Sequence, residues 1–216
     1  MLRAWNWYQR QLAIRPVPTQ IVSSGFLWAA GDIAAQYVSF STNQRPHLST
    51  DKEGKQFKID WKRVATTSMF GFGFVGPVGH FWYEGLEHIT KHRFRLRPSS
   101  LQFVTAKLAA DTLLFGPVHL LVFFTYMGLA SGKNLYQVKE DVKRDFLPAF
   151  LMEGGTWTLV QTVNFRFVPV RYQLLYVNFF CLLDSAFLSW FDQQEDASWK
   201  RWLKSLLSAE TQRNQK

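Results

Sequence analysis

A single cysteine, Cys181, stands in the 216 residues, inside an apolar stretch. That excludes a disulfide framework and a thiolate metal cluster, and with no cationic neighbour in sequence to activate it, Cys181 reads as a small buried hydrophobe. Catalytic signatures are missing as well. There is no Gly-x-Ser-x-Gly elbow, no His-Glu-x-x-His, no Walker loop and no glycine-rich turn between a strand and a helix. His80 and His119 fall in different apolar runs, and neither has a second histidine or a cysteine at i+3 or i+4, so no metal site is expected. No catalytic residue and no cofactor-binding set stands out, and an enzyme is not expected. Acid is scarce: 16 Asp and Glu face 25 Lys and Arg, a formal net charge of +9. Such a balance suits anionic lipid headgroups or nucleic acid, and composition does not separate the two.

Aromatic residues, by contrast, are abundant. Twenty Phe and nine Trp, in a chain that is 47% hydrophobic, would need a large core in water, whereas in a bilayer they can face lipid or form belts at its surfaces. The mean hydropathy of −0.12 is nearly neutral, but that average hides a segregation of charge into connectors between apolar runs. Residues 1–17 carry Arg3, Arg10 and Arg15 and no acid, with Trp5, Tyr8 and Leu12 at helical spacing. They read as a retained amphipathic helix lying at a membrane surface. Residues 18–191 hold the bilayer-length runs: 18–38, 64–86, 112–130 and 172–191. Residues 39–63 and 131–145 read as polar connectors, 146–168 as a whole or a broken span, and 192–216 as a polar, partly helical tail. Trp82 and Tyr83 are expected in an aromatic belt.

The expected fold is therefore all-α, a single-domain polytopic transmembrane bundle of four to five spans. Gly71, Gly73, Gly76 and Gly79 should serve close helix approach, and Pro77 should kink the second span. The pair Gly76-Pro77 recurs as Gly116-Pro117. Basic residues populate several connectors alike, so the orientation is not readable.

Ionisable and amide groups inside such runs must be paired or face water, because at membrane depth an isolated charge costs several kcal/mol. Asp32 and Gln36 lie one turn apart, as do Lys107 and Asp111. Two readings stand for Asp32 and Asp111: pore lining, or internal pairing, with Lys107 bridging to Asp111. For Asp184 pairing is favoured. In the stretch Thr156–Arg171, Trp157, Gln161, Asn164 and Val168 form one helical stripe that ends at Pro169. Gln161 and Asn164 either brace the broken backbone near Pro77 or Pro117, or line an aqueous path. The candidate polar lining is thus Asp32, Gln36, Asp111, Gln161 and Asn164.

The run Gln161-x-x-Asn164-Phe165-x-x-Val168-Pro169 resembles the Mpv-seventeen family, also called the 22 kDa peroxisomal membrane protein family. The resemblance extends over most of the chain. It takes in Gly31-Asp32 and Gln36, Asp60 with Arg63, Gly76-Pro77, Trp82-Tyr83, Lys107 with Asp111, Pro117 and Leu188-Ser189. It departs at Thr158, where the family has proline, at Thr112 and Leu183, and at Gln173, where an arginine is expected and Arg171 stands two residues earlier. The resemblance implies an integral protein of the mitochondrial inner or the peroxisomal membrane and a channel for small solutes; the alternative is a non-conducting scaffold. Expected partners are the bilayer, small solutes and further copies of the chain in a homo-oligomer, with no direct nucleic-acid binding. The basic amphipathic start tilts the localisation to mitochondria.

Overall fold

The computed structural model describes residues 2–43, 56–98 and 100–192. Most of the connector after residue 43 and all of the expected tail beyond residue 192 lie outside the described residues. Within them the chain is all-α, as expected. Helices α1 (Leu2–Ile14), α2 (Pro16–Asn43), α3 (Trp61–Phe70), α4 (Gly76–His88), α5 (Leu101–Ala110), α6 (Gly116–Ala130), α7 (Leu135–Phe167) and α8 (Val170–Asp192) follow one another. Five-residue π segments continue three of them: Gly71–Val75 joins α3 to α4, Ile89–Arg93 follows α4, and Asp111–Phe115 joins α5 to α6. The architecture is thus one short helix, α1, and five long rods: α2, α3–α4, α5–α6, α7 and α8.

Two of the π segments have a readable cause. Proline at 77 or 117 has no N–H, and its ring collides with the carbonyl of residue i−4 in a regular helix. Each Gly-Pro pair is preceded by a widened turn, in which Gly76 N donates to the Gly71 carbonyl and Gly116 N to the Asp111 carbonyl, five residues back. The rod continues through the proline instead of breaking at it.

The helix starts are set by side chains that accept otherwise unpaired N–H groups. Asp60 Oδ1 accepts from Arg63 N, Ser100 Oγ from Phe103 N, and Asn134 with Gln137 forms a reciprocal capping box at α7. That box corrects the reading of 131–145 as a connector. Only Ser131–Asn134 link α6 to α7, through a turn in which Gly132 adopts φ 85° and Lys133 N reaches back to the Gly128 carbonyl. The charged residues that follow are the first three turns of α7, which then runs unbroken through Pro148. Likewise α2 extends beyond Val38 to Asn43, and the third apolar run begins at Leu101, taking Lys107 and Asp111 into the rod. At the other end of α7, Val168 is extended (ψ 123°), as Pro169 requires.

Helix α2 lies along α8 and crosses α3–α4 where glycines meet. A Cβ on Gly76 would lie 2.6 Å from Ile21 Cα, and one on Gly71 would lie 2.9 Å from the Ser24 carbonyl oxygen. Gly73, expected to serve the same contact, faces open space. Buried Phe70, Val75, Tyr83, Phe103, Phe165 and Leu174 form the apolar core.

The distribution of polarity is the reverse of a water-soluble bundle. Phe81, Leu101, Leu113, Leu159 and Phe167 are all more than 60% exposed, while Lys107, Asn164, Gln173, Asn178 and Ser24 are 2% exposed or less. A protein surface of large apolar side chains around polar interior groups fits lipid rather than water as the outer solvent. Among the described residues one rod, Leu101–Ala130, is long and apolar enough to cross a membrane.

Candidate functional site: the polar interior of the bundle

The candidate polar residues fall into two separate groups. Asp32 and Gln36 belong to the first, at the junction of α2 with the start of α3. Arg63 Nε donates to Asp32 Oδ1 (2.7 Å), and Gln36 Nε2 donates to Asp32 Oδ2 (2.7 Å) and to the Asp60 carbonyl (3.3 Å). Asp60 N in turn donates to Gln36 Oε1 (2.8 Å). Both carboxylate oxygens and both ends of the amide are therefore occupied, and neither residue borders the central cavity. This group is a clamp that ties α3 to α2 across the intervening connector.

Asp111, Gln161 and Asn164 form the second group, at the centre. Asp111 Oδ1 accepts from Trp82 Nε1 (2.8 Å) and Oδ2 from Gln161 Nε2 (2.7 Å). Gln161 Nε2 also donates to the Tyr83 hydroxyl (3.0 Å), and its Oε1 accepts from Asn164 Nδ2 (2.8 Å). Asn164 is wholly buried, and its Oδ1 has no hydrogen-bond partner. Tyr83 is thus an interior residue, and half-buried Trp82 turns its Nε1 into the bundle, which is not the arrangement of an interface belt. Gln161 bonds side chains and not the backbone near Pro77 or Pro117: it grips the carboxylate of Asp111, the first residue of the π segment before Gly116-Pro117.

Lys107 does not pair with Asp111, one turn ahead of it. Its Nζ donates instead to Glu87 Oε2 (2.8 Å) and Gln173 Oε1 (3.1 Å), and it lies over the Phe165 ring at 4.7 Å. Glu87 takes Lys91 on its other oxygen (2.6 Å). A fully buried ammonium needs such company, since an unpaired charge there would be prohibitively costly. Gln173 Nε2 donates to the Val168 carbonyl (3.0 Å) at the break between α7 and α8. Glutamine can accept from Lys107, whereas the arginine expected at this position would set a second cation against it.

Further polar contacts join α2 to α8 and α4. Asn178 Nδ2 donates to Ser24 Oγ (2.7 Å) and its Oδ1 accepts from Trp28 Nε1 (3.1 Å). Gln20 Nε2 donates to the Arg171 carbonyl (3.1 Å), and Gln20 Oε1 lies 2.9 Å from His80 Nδ1. Gln20 and Asn178 are not among the amides that the sequence singles out, which are Gln36, Gln161 and Asn164; the place of Asn178 at the middle of the last apolar run is the available signal.

All five rods border one half-open cavity of about 230 Å³. Asp111 and Gln161 line it; Asp32, Gln36 and Asn164 do not. Asp184 and His119 line it too. The His119 ring sits among Phe70, Phe115 and Phe123, and Asp184 has neither a hydrogen bond nor an ion pair among the described residues. No group of three or more His, Cys, Asp or Glu able to hold a metal is found among the described residues.

Comparison with known proteins places this architecture. The model of the Mpv17 / PMP22 family matches residues 128–189, which span the end of α6, all of α7 and most of α8. Protein SYM1 of Gibberella zeae is 34% identical over 190 residues, covering 88% of this chain and 97% of that protein. The chain belongs to the Mpv17 / PMP22 family. Peroxisomal membrane protein 2 of Bos taurus is 32% identical over 188 residues, 87% of this chain and 88% of its own. Protein SYM1 of Saccharomyces cerevisiae is 29% identical, with 88% and 90% covered. No solved structure matches the chain. Membership in this Mpv17 / PMP22 group makes the chain an organelle membrane protein, in keeping with its outward apolar and inward polar side chains.

Proposed function

We propose that the protein crosses the mitochondrial inner membrane with all five rods and provides a path for small solutes through the bundle, without catalysing a reaction. The observation that carries this reading is the central cavity, bordered by every rod and lined by Asp111, Gln161 and Asp184. Polar groups at membrane depth are expected to serve a solute or ion pathway when they face a cavity. Length supports five crossings: α2, α7 and α8 have 28, 33 and 23 residues, and at 1.5 Å per residue even the shortest reaches roughly 35 Å, beyond the ~30 Å apolar core of a bilayer. An odd number of crossings puts α1 and the end of α8 on opposite sides of the membrane.

Reconstituted in planar bilayers, the purified protein is expected to conduct, and Asp111→Asn to change its ion selectivity. A silent bilayer would overturn the reading. The acid-free amphipathic α1, with Trp5 and Trp7 exposed, supports the mitochondrial assignment. Imaging of a C-terminally tagged copy tests it against the peroxisomal membrane named for the bovine relative. The second reading, a scaffold that conducts nothing, draws on the closed clamp of Asp32, Gln36, Asp60 and Arg63, where polar groups serve only to hold helices. It predicts a silent bilayer together with stably co-purifying proteins or further copies of the chain.

A further inference from the structure

The chain as a whole carries a formal charge of +9, yet the wall of its central cavity has the opposite character. Among the described residues two carboxylates, Asp111 and Asp184, line the cavity, and no lysine or arginine does. The nearest buried cation, Lys107, is held by Glu87 and Gln173 and takes no part in the lining. Aromatic rings make up much of the remaining wall: Trp28 from α2, Phe115 from the π segment before α6, Phe123 from α6, and Phe150 and Trp157 from α7.

We propose that this cavity is a binding site for a compact organic monocation, a primary or quaternary ammonium of a few carbon atoms, and that such cations are the solutes the protein selects. The proposal rests on the solute-path reading and names its substrate class. Three features converge on that chemistry. The faces of indole and phenyl rings carry negative charge and attract ammonium groups, most strongly when water is excluded. Asp184 lacks a partner among the described residues, and a half-buried carboxylate gains most from a ligand that brings the missing positive charge. Asp111 is already held in place by Trp82 and Gln161, so its charge is preorganised and needs no rearrangement on binding. An anion would meet two carboxylates with no compensating cation, and a neutral solute would leave Asp184 unpaired. The volume of about 230 Å³ lies below the roughly 300 Å³ at which sites for drug-sized ligands begin, which limits the ligand to a few heavy atoms.

The test is calorimetric titration of the full chain in detergent with choline and with 3,3-dimethylbutan-1-ol, its neutral carbon isostere. Choline is expected to bind at least about tenfold more tightly than the alcohol, and Asp184→Asn to erase at least about tenfold of that affinity. Because Asp184 makes no hydrogen bond or ion pair among the described residues, its replacement by asparagine is expected to leave the melting temperature nearly unchanged. Trp157→Leu, which removes one ring and no charge, should weaken choline and leave the alcohol alone. Equal binding of choline and the alcohol overturns the proposal, as does a folded Asp184→Asn variant with undiminished choline affinity. Bilayer recording of the same preparation separates the two levels of the argument. Choline binding beside a silent bilayer keeps the site and discards the path; a conducting bilayer in which choline and the alcohol bind alike keeps the path and discards the site.

Discussion

Replacing Gln161 by leucine is the most direct probe of the central network, because this one side chain joins α7 to both α4 and the π segment before α6. Its Nε2 reaches Asp111 and Tyr83, and its Oε1 takes Asn164 Nδ2. Leucine has nearly the same volume, so the loss is in hydrogen bonding rather than in packing. The bond to the Asp111 carboxylate is charge-assisted and contributes about 1.5–3 kcal/mol. The two neutral bonds contribute less: between membrane helices an average polar contact is measured at about 0.6 kcal/mol. Asn164, wholly buried and already without a partner on Oδ1, would then lose its Nδ2 partner too. The expected destabilisation is about 2–4 kcal/mol, read from the unfolding midpoint in detergent micelles. A double-mutant cycle with Asp111→Leu isolates the pair, and a coupling of about 1 kcal/mol or more is expected. If the Gln161→Leu midpoint stays at the wild-type value and the cycle shows no coupling, water in the cavity is supplying what Gln161 was credited with, and the network described here is not what holds α7 in place.

Three further expectations follow from particular contacts. Gly76→Ala places a methyl 2.6 Å from backbone Ile21 Cα and should cost about 1–3 kcal/mol by overpacking, whereas Gly73→Ala, in open space, should be neutral or stabilise by up to about 1 kcal/mol; the two melting curves should move in opposite directions or differ clearly in size. Asp32→Asn should weaken the clamp with Arg63 and lower the melting temperature, while bilayer ion selectivity stays as in the wild type, since Asp32 does not border the cavity. Outside the spans, Lys133 beside Asp141 holds that carboxyl below the usual carboxylate range, and Arg144 does the same for Asp145. Because these folded-state values are depressed, the contribution is complete above the ordinary carboxylate range and is lost as pH falls through the depressed values. The protection factor of amides in the Ser131–Asn134 turn, the exchange rate relative to the intrinsic rate at the same pH, should therefore fall under acid and hold in mild alkali.

The helical rods were legible wherever apolar residues ran to bilayer length, and so was the break at Pro169, because a proline acts on its neighbour through local sterics alone. The start of α7 was not. Lys139, Glu140, Asp141, Lys143 and Arg144 give no apolar stripe and so read as a connector, yet most are good helix formers in a segment that the Asn134–Gln137 box has already started. Of the candidate site, Asp111, Gln161 and Asn164 do meet, while Asp32 and Gln36 serve a different junction. The belt expected for Trp82 and Tyr83 rests on their place near the end of the second apolar run, which does not say which face of the rod they occupy. A π turn inserts about one extra residue and so rotates everything beyond it by roughly 100° relative to a regular helix. A face projected from Val64–Phe70 at 3.6 residues per turn therefore points the wrong way beyond Gly76.

That rotation also gives the repeated Gly-Pro pair a structural meaning that its shortness in sequence conceals. In both rods the five residues before the pair are wound in π form, and in both the side chains beyond the pair stand on a shifted face. Beyond Gly76, Trp82 and Tyr83 turn to Asp111 and Gln161; at the second pair, Asp111 opens the widened turn and His119 follows it on the cavity wall. A straight helix through the same residues would present a different set of side chains to the centre. The two prolines thus act less as kinks than as phase shifts. They let a rod show a glycine-lined face to its neighbour, as α3–α4 shows α2 at Gly71 and Gly76, and a hydrogen-bonding face to the cavity a turn or two later. In a lipid-facing protein, where an interior amide or carboxylate without a partner is costly, that change of face helps residues far apart in sequence to close one network.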